Sequence, residues 1–134
     1  MTEKDQVSTE LQGLFVEDGE EAVDSVLRNC LEKFVGITRG GKIVPRESFL
    51  DLTDTSKILV CLLARLAKVR LNIPGATNCG SAEELAGECI VPVKSAREYL
   101  SRLKARKLLE KSASGYLVPA WAVGNVAREI TKKL

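Results

Sequence analysis

Residues 81–119 read SAEELAGECIVPVKSAREYLSRLKARKLLEKSASGYLVP, and this stretch decides the fold. Ser81 precedes two glutamates, which is typical of a helix N-terminus, and the apolar spacing breaks just before Pro92. A second helix is predicted over 93–107, because alanine, tyrosine and leucine recur there at spacings of three and four. Residues 108–118 predict a β-hairpin around the turn Ser-Ala-Ser-Gly. The predicted order is therefore helix, short turn, basic helix and hairpin.

This order resembles the winged helix-turn-helix superfamily, to which MarR-like and GntR-like regulators belong. The residues that match the core and wing positions of those regulators are Glu84-Leu85-Ala86, Ala96-Arg97, Tyr99-Leu100, Leu103, Leu108-Leu109-Glu110 and Gly115-Tyr116. Ile90 and Pro92 stand where such regulators often carry Gly and Ser, and Lys107 replaces a common Gly ahead of the wing. The resemblance covers the middle and last third of the chain and selects no single family. It implies a mainly α fold with a small β-hairpin wing.

A long apolar helix is predicted upstream of this stretch. Thr53 offers an N-cap oxygen, and the segment ILVCLLARLAKVRL follows at residues 58–71. Its inner face is expected to carry Ile58, Leu59, Leu62, Leu63, Leu66 and Val69. Its outer face is expected to carry Lys57, Arg65, Lys68 and Arg70. Residues 72–80 are a loop by composition, either a plain surface excursion or a loop that contacts a ligand or partner.

Two amphipathic helices are predicted to flank the winged helix-turn-helix motif, over about residues 18–35 and from Pro119 to the end. Gly36 and the pair Gly40-Gly41 are expected to end the first of them. Residues 42–44 are expected to form a short strand that joins the wing as its third member. Residues 1–12 show no periodicity and are expected to fray.

We divide the chain at Pro45. Residues 1–45 comprise an acidic tail and an amphipathic helix that could mediate dimerisation, and 46–134 form the winged helix-turn-helix domain with its C-terminal helix. The apolar stripes of the two flanking helices could fold back on the domain or pair across a two-fold axis. A homodimer is the expectation, with Trp121 and Phe34 as candidate anchors, although a core position is the plainer interpretation of either. Gly124 could allow another helix to approach closely.

Charge is distributed unevenly along the chain. Residues 1–36 carry three basic and nine acidic side chains, a net charge of −6, whereas 37–134 carry seventeen basic and nine acidic, a net charge of +8. The interval 94–111 alone holds seven basic side chains against two acidic ones. This asymmetry predicts a basic binding face and an acidic segment held away from it.

Composition also bounds the class of protein. An apolar fraction of 45% and a charged fraction of 28% are those of an ordinary globular domain. No apolar run approaches the roughly 18 residues of a membrane span. The polar, acidic start of the chain does not resemble a secretory signal. A cytoplasmic protein without a membrane partner is expected.

The residues needed for most catalytic or metal chemistry are missing. The chain has no histidine, and its four cysteines are too widely spaced for a zinc site. Cys61 and Cys89 are interpreted as small core residues, and Cys79 could form a disulfide with another cysteine. There is no phosphate-binding glycine loop and no G-x-S-x-G nucleophile motif. We therefore expect neither an enzyme nor a cofactor.

Double-stranded DNA is the predicted partner. Helix 93–107 would enter the major groove, with Arg97 pairing with guanine and Glu98 either accepting from cytosine or pairing with Arg102. The predicted DNA-binding residues on the helix are Lys94, Ser95, Arg97, Glu98, Ser101, Arg102 and Lys104. Those on the hairpin are Lys111, Ser112 and Ser114. A transcriptional regulator is the favoured function, and a protein-interaction module within a replication, transcription or segregation assembly is the alternative. No effector site is visible in the sequence.

Overall fold

The computed structural model describes residues 20–132, with side chains from Val23 onward. The described chain is mainly helical, with two small antiparallel hairpins. Its elements are α1 (Glu20–Leu31), β1 (Val35–Ile37), β2 (Ile43–Pro45), α2 (Glu47–Leu50), α3 (Asp54–Arg70), α4 (Ala82–Cys89), α5 (Val93–Ala105), β3 (Glu110–Ser112), β4 (Gly115–Leu117), a 3₁₀ turn (Ala120–Ala122) and α6 (Val123–Lys132). A mainly α fold with a small hairpin after the basic helix is thus confirmed.

Helix α3 is the centre of the core. The Thr53 hydroxyl caps it by accepting a hydrogen bond from the Ser56 amide at 3.2 Å, as its N-cap position predicts. Residues 58–66 are all buried, so this helix is surrounded on every side rather than along one stripe. The predicted inner face was wrong at its end, because Val69 is 37% exposed. α4, α5, α6 and α1 all pack against α3.

Arg65 was predicted on the outer face of α3 and is instead buried, at 8% exposure. Its guanidinium donates to the Cys79 carbonyl and to a Glu88 carboxylate oxygen, both at 2.8 Å, and lies 3.6 Å from Glu84. A buried cation is tolerated only when its donors find such partners. Arg65 therefore ties α3 both to α4 and to the end of the loop 72–80.

The N-terminal part of the fold differs from its prediction in two ways. Helix α1 ends at Leu31, so that Val35 and Gly36 lie in strand β1, and Gly40-Gly41 occupy the hairpin turn instead of ending the helix. Strand β2 pairs with β1, with Ile37 opposite Ile43, and does not join the wing. The predicted helix start at 18 and the expected fraying of residues 1–12 lie outside the described residues.

Gly80, and not strand β2, lies beside the wing hairpin where a third strand was predicted. Gly80 forms an isolated antiparallel bridge with Tyr116, in which each amide donates to the carbonyl of the other at 2.9 Å. The sequence offers no strand signal there, because a single bridge needs no run of β-forming residues. The bridge joins the end of the loop to the hairpin.

The flanking helices fold back on the same chain. Leu27 and Leu31 of α1, together with Val126 and Ile130 of α6, are buried where these helices pack on each other and on α3. The apolar stripes that favoured a dimer are thus covered within one chain. A homodimer stays a prediction, to be checked by light scattering.

The two candidate anchors behave differently. Phe34 is a core residue at 4% exposure, whereas Trp121 is 64% exposed, so the core interpretation was wrong for the tryptophan. The predicted helix start at Pro119 is a 3₁₀ turn, and α6 begins only at Val123. At Gly124 no atom of another segment lies within 4 Å of an added Cβ, so no other helix approaches it closely in the described part of the chain.

All four cysteines are free thiols in the structure, and no disulfide involves Cys79. Cys61 and Cys89 are buried core residues, as predicted. A hydrogen bond with Cys61, followed by burial, raises the pKa of the Cys89 thiol. The Cys89 thiol is therefore protonated at neutral pH.

Gly115→Ala is expected to lower the free energy of unfolding by about 1–3 kcal/mol. Gly115 has a φ of 138°, and an added Cβ would lie 2.4 Å from the Gly80 carbonyl oxygen. The matched control is Gly124→Ala, which should stabilise the helix by up to about 1 kcal/mol because alanine is the better helix former. Urea denaturation measures both. Equal urea midpoints for Gly115→Ala and the wild type would mean that a Cβ at residue 115 does not clash with Gly80.

Candidate nucleic-acid interface

Helix α4 begins with a complete capping box. The Ser81 hydroxyl accepts from the Glu84 amide at 3.2 Å, and a Glu84 carboxylate oxygen accepts from the Ser81 amide at 3.1 Å. The hydrogen bond from the Ser81 backbone is the main reason why the pKa of Glu84 is lowered. This confirms the helix start predicted at Ser81.

The turn between α4 and α5 contains an unusual backbone conformation. Ile90 has φ 60° and ψ 50°, the left-handed region, which a β-branched residue rarely adopts. Its side chain is 66% exposed, whereas the neighbouring Val91 is buried. Pro92 then serves as the N-cap residue of α5. The turn thus directs α5 across α4. It does so with an isoleucine in a backbone conformation that glycine adopts most easily.

Helix α5 has the two-sided character that its sequence predicts. Ala96, Leu100 and Leu103 are fully buried, and Tyr99 is partly buried. The predicted DNA-binding residues on the opposite side are exposed: Lys94, Arg97, Glu98, Ser101, Arg102 and Lys104. Ser95 is half-buried at the edge. The helix ends at Ala105 rather than at 107.

Ion pairs balance part of the charge on this face. Arg102 pairs with Glu98 four residues earlier, which is the second of the two roles predicted for that glutamate. Arg97 pairs with Glu83 of α4. Just beyond the helix, Arg106 lies 3.0 Å from Glu129 of α6. Within the described residues, Lys94 and Lys104 are the exposed cations of the helix that form no ion pair.

The hairpin after α5 has a two-residue turn, with Ser112 opposite Gly115. The Ser112 hydroxyl donates to the Gly115 carbonyl and accepts from the Ser114 amide, both at 3.2 Å, so this side chain serves the turn itself. Ser114 is exposed. The Lys111 ammonium lies 5.4 Å from the centre of the Tyr116 ring, a cation–π contact.

A groove of about 410 Å³ lies where α4, α5 and the hairpin meet, and we call it the wing groove. Its polar lining residues are Ser81, Glu83, Arg97, Lys111, Ser112 and Ser114, with Tyr116 beside them. Four of these residues were predicted as DNA contacts. The other six predicted contacts lie along α5 and do not line the groove.

Sequence reasoning missed Glu83 as a member of this site. It lies fourteen residues before Arg97 and on another helix, so no periodic pattern connects the two. The hydrogen bond from Arg97 is the main cause that lowers the pKa of the Glu83 carboxyl. Only the crossing of α4 and α5 brings the pair together.

A second cleft lies elsewhere, between α1, β1 and the end of α3. Its volume is about 460 Å³. Its lining is mostly apolar, from Leu27, Leu31, Val35, Ile37, Ala67 and Leu71, with Asp24, Arg28 and Arg70 also present. Asp24 and Arg70 form an ion pair there. None of the predicted DNA-binding residues lines this cleft.

We compared the chain with protein-family models, curated proteins and solved structures. None of the three gives a match. No helix within residues 20–132 is long and apolar enough to cross a membrane.

Proposed function

We propose that this protein is a winged helix-turn-helix transcriptional regulator that binds double-stranded DNA sequence-specifically. The observation that carries the proposal is the division of α5 into a dry side and an exposed cationic side. Ala96, Leu100 and Leu103 anchor the helix, while Lys94 and Lys104 face solvent. An α-helix presented in this way fits the B-DNA major groove, which is about 12 Å wide.

The order of the elements supports this fold. The order helix, short turn, basic helix and hairpin is that of a winged helix-turn-helix. Here α3 is followed by the bridging residue Gly80, then by α4, α5 and the hairpin β3–β4. The bridge of Gly80 to Tyr116 supports the proposal, because it adds a third antiparallel partner to the hairpin.

The positions at which the sequence departs from the regulators that it resembles also support the proposed fold. Ile90 and Lys107 stand where those regulators often carry glycine, and both have positive φ values, of 60° and 62°. Glycine is common at such positions because it adopts this conformation without strain. The backbone therefore follows the course that the family glycines would favour, although the side chains differ.

A salt-titrated binding assay tests the proposal. Fluorescence anisotropy with a labelled random duplex should give affinity that falls steeply with salt, because each phosphate contact releases a counterion. A selection from a random DNA pool would then supply the specific site. Absence of any duplex binding at low salt would refute DNA binding.

Arg97→Ala is expected to weaken binding to the selected site by about 1–3 kcal/mol and to relax the base preference. The reason is that Arg97 lies in the first half of α5, which reaches base edges most easily. Arg28→Ala is the matched control, since Arg28 has an 82% exposed side chain on α1, away from α5. Equal losses in the two variants would contradict the assignment of α5 to the groove.

A protein-interaction module is the second candidate. Two observations favour it: the ion pairs of Arg97, Arg102 and Arg106, which reduce the net charge available to DNA, and the 64% exposed side chain of Trp121. Exposed tryptophans are frequent anchors in protein interfaces. The salt titration separates the two candidates, because an interaction module need not bind random duplex at all.

A further inference from the structure

The ion pair between Arg97 and Glu83 connects two elements that would both face DNA. The Arg97 guanidinium donates to a Glu83 carboxylate oxygen, and both side chains stay more than half exposed. The other pair on α5, between Arg102 and Glu98, lies within one helix. The pair of Arg97 with Glu83 differs because it joins two helices. Glu83 belongs to α4 and lines the wing groove together with Lys111.

The wing groove has the chemistry of a phosphate site except for this one carboxylate. Arg97 and Lys111 supply cations, and the hydroxyl-bearing side chains of Ser81 and Ser114 line the same space. Guanidinium, ammonium and hydroxyl groups are the usual partners of the DNA backbone. Glu83 places a negative charge where a phosphate would approach, and like charges that close oppose binding.

We infer that Glu83 is a specificity-determining residue, an inference that rests on the DNA binding proposed above. The Glu83 carboxylate holds the Arg97 guanidinium in an ion pair and repels DNA phosphates. Arg97 therefore strengthens binding only at a site where a base edge takes the place of Glu83 as the partner of the guanidinium. On a duplex without that base, the pair stays intact and Arg97 adds no phosphate contact. Selectivity then arises in two ways: Glu83 weakens binding to DNA sites that lack the correct base, and Arg97 contacts the base at the correct site.

Glu83→Gln tests the inference, because it removes the charge and keeps the size of the side chain. The variant is expected to bind random duplex about three- to tenfold more tightly at moderate salt. The slope of log K against log salt should steepen by about 0.9, the value of one added phosphate contact. Melting curves verify that each variant is folded at the assay temperature.

Two controls separate this effect from a general change in net charge. Glu110→Gln removes one negative charge from the exposed side of β3, outside the groove lining, and is expected to change the slope by much less. In an Arg97→Ala background, Glu83→Gln is expected to leave the slope unchanged, since the freed cation is absent. Both results together would support the inference.

Two outcomes would overturn it. If Glu83→Gln and Glu110→Gln behave alike, or if the steeper slope persists without Arg97, then Glu83 does not act through Arg97 although DNA binding stands. If the wild-type protein binds no duplex at low salt, the proposed function fails, and this inference with it.

Discussion

Leu62→Asp is expected to leave the chain unfolded at 25 °C. Leu62 is completely buried in α3, which α1, α4, α5 and α6 all contact. Removing a buried leucine side chain costs about 2–5 kcal/mol. Burying a carboxyl group in its place adds about 2–7 kcal/mol even in the protonated form. The sum is comparable to the whole stability of a domain, about 5–15 kcal/mol.

Val69→Asp is the matched control for this prediction. It places the same side chain on the same helix, but at a position that is 37% exposed. Far-ultraviolet circular dichroism should show a folded spectrum for the control and a largely unfolded one for Leu62→Asp. A cooperative melting transition in Leu62→Asp near that of the wild type would mean that the core is arranged differently around α3.

Arg65→Met is expected to lower the free energy of unfolding by about 2–4 kcal/mol, because hydrogen bonds to charged groups contribute about 1.5–3 kcal/mol each. Methionine replaces most of the aliphatic stem of arginine, so the loss reflects mainly the bonds to the Cys79 carbonyl and the Glu88 carboxylate. The Arg65 side chain is only 9% exposed, so water screens these bonds little.

Lys68→Met is the control for Arg65, since it removes the same charge from the same helix at a partly exposed position. Urea denaturation at neutral pH measures both variants. If Arg65→Met and Lys68→Met shift the urea midpoint equally, the hydrogen bonds of the buried guanidinium add nothing to the free energy of unfolding.

Local signals in the sequence predicted the helices and the hairpin of residues 81–118. The cap at Ser81 and the apolar spacing of α5 are properties of neighbouring residues, so they can be read without knowing the fold. The exposed side of α5 followed from the same spacing.

Features that depend on distant partners could not be predicted in this way. Arg65 has the helical position of an outward residue, and its burial depends on Glu88 and Cys79, which meet it only in the folded chain. The same holds for β2, whose three residues contain nothing that selects β1 over the wing as a partner. Glu83 likewise joined the candidate site only through the crossing of two helices.

The contact of Arg65 with the Cys79 carbonyl has a consequence for the loop 72–80. Arg65 holds the chain to α3 at Cys79, just before Gly80 meets the hairpin. The position of the wing therefore depends on this contact and not on Pro74 and Gly75 in the middle of the loop. The exposed residues Pro74 and Gly75 can therefore change without moving the wing relative to α5. They are the natural place for an inserted peptide tag or label.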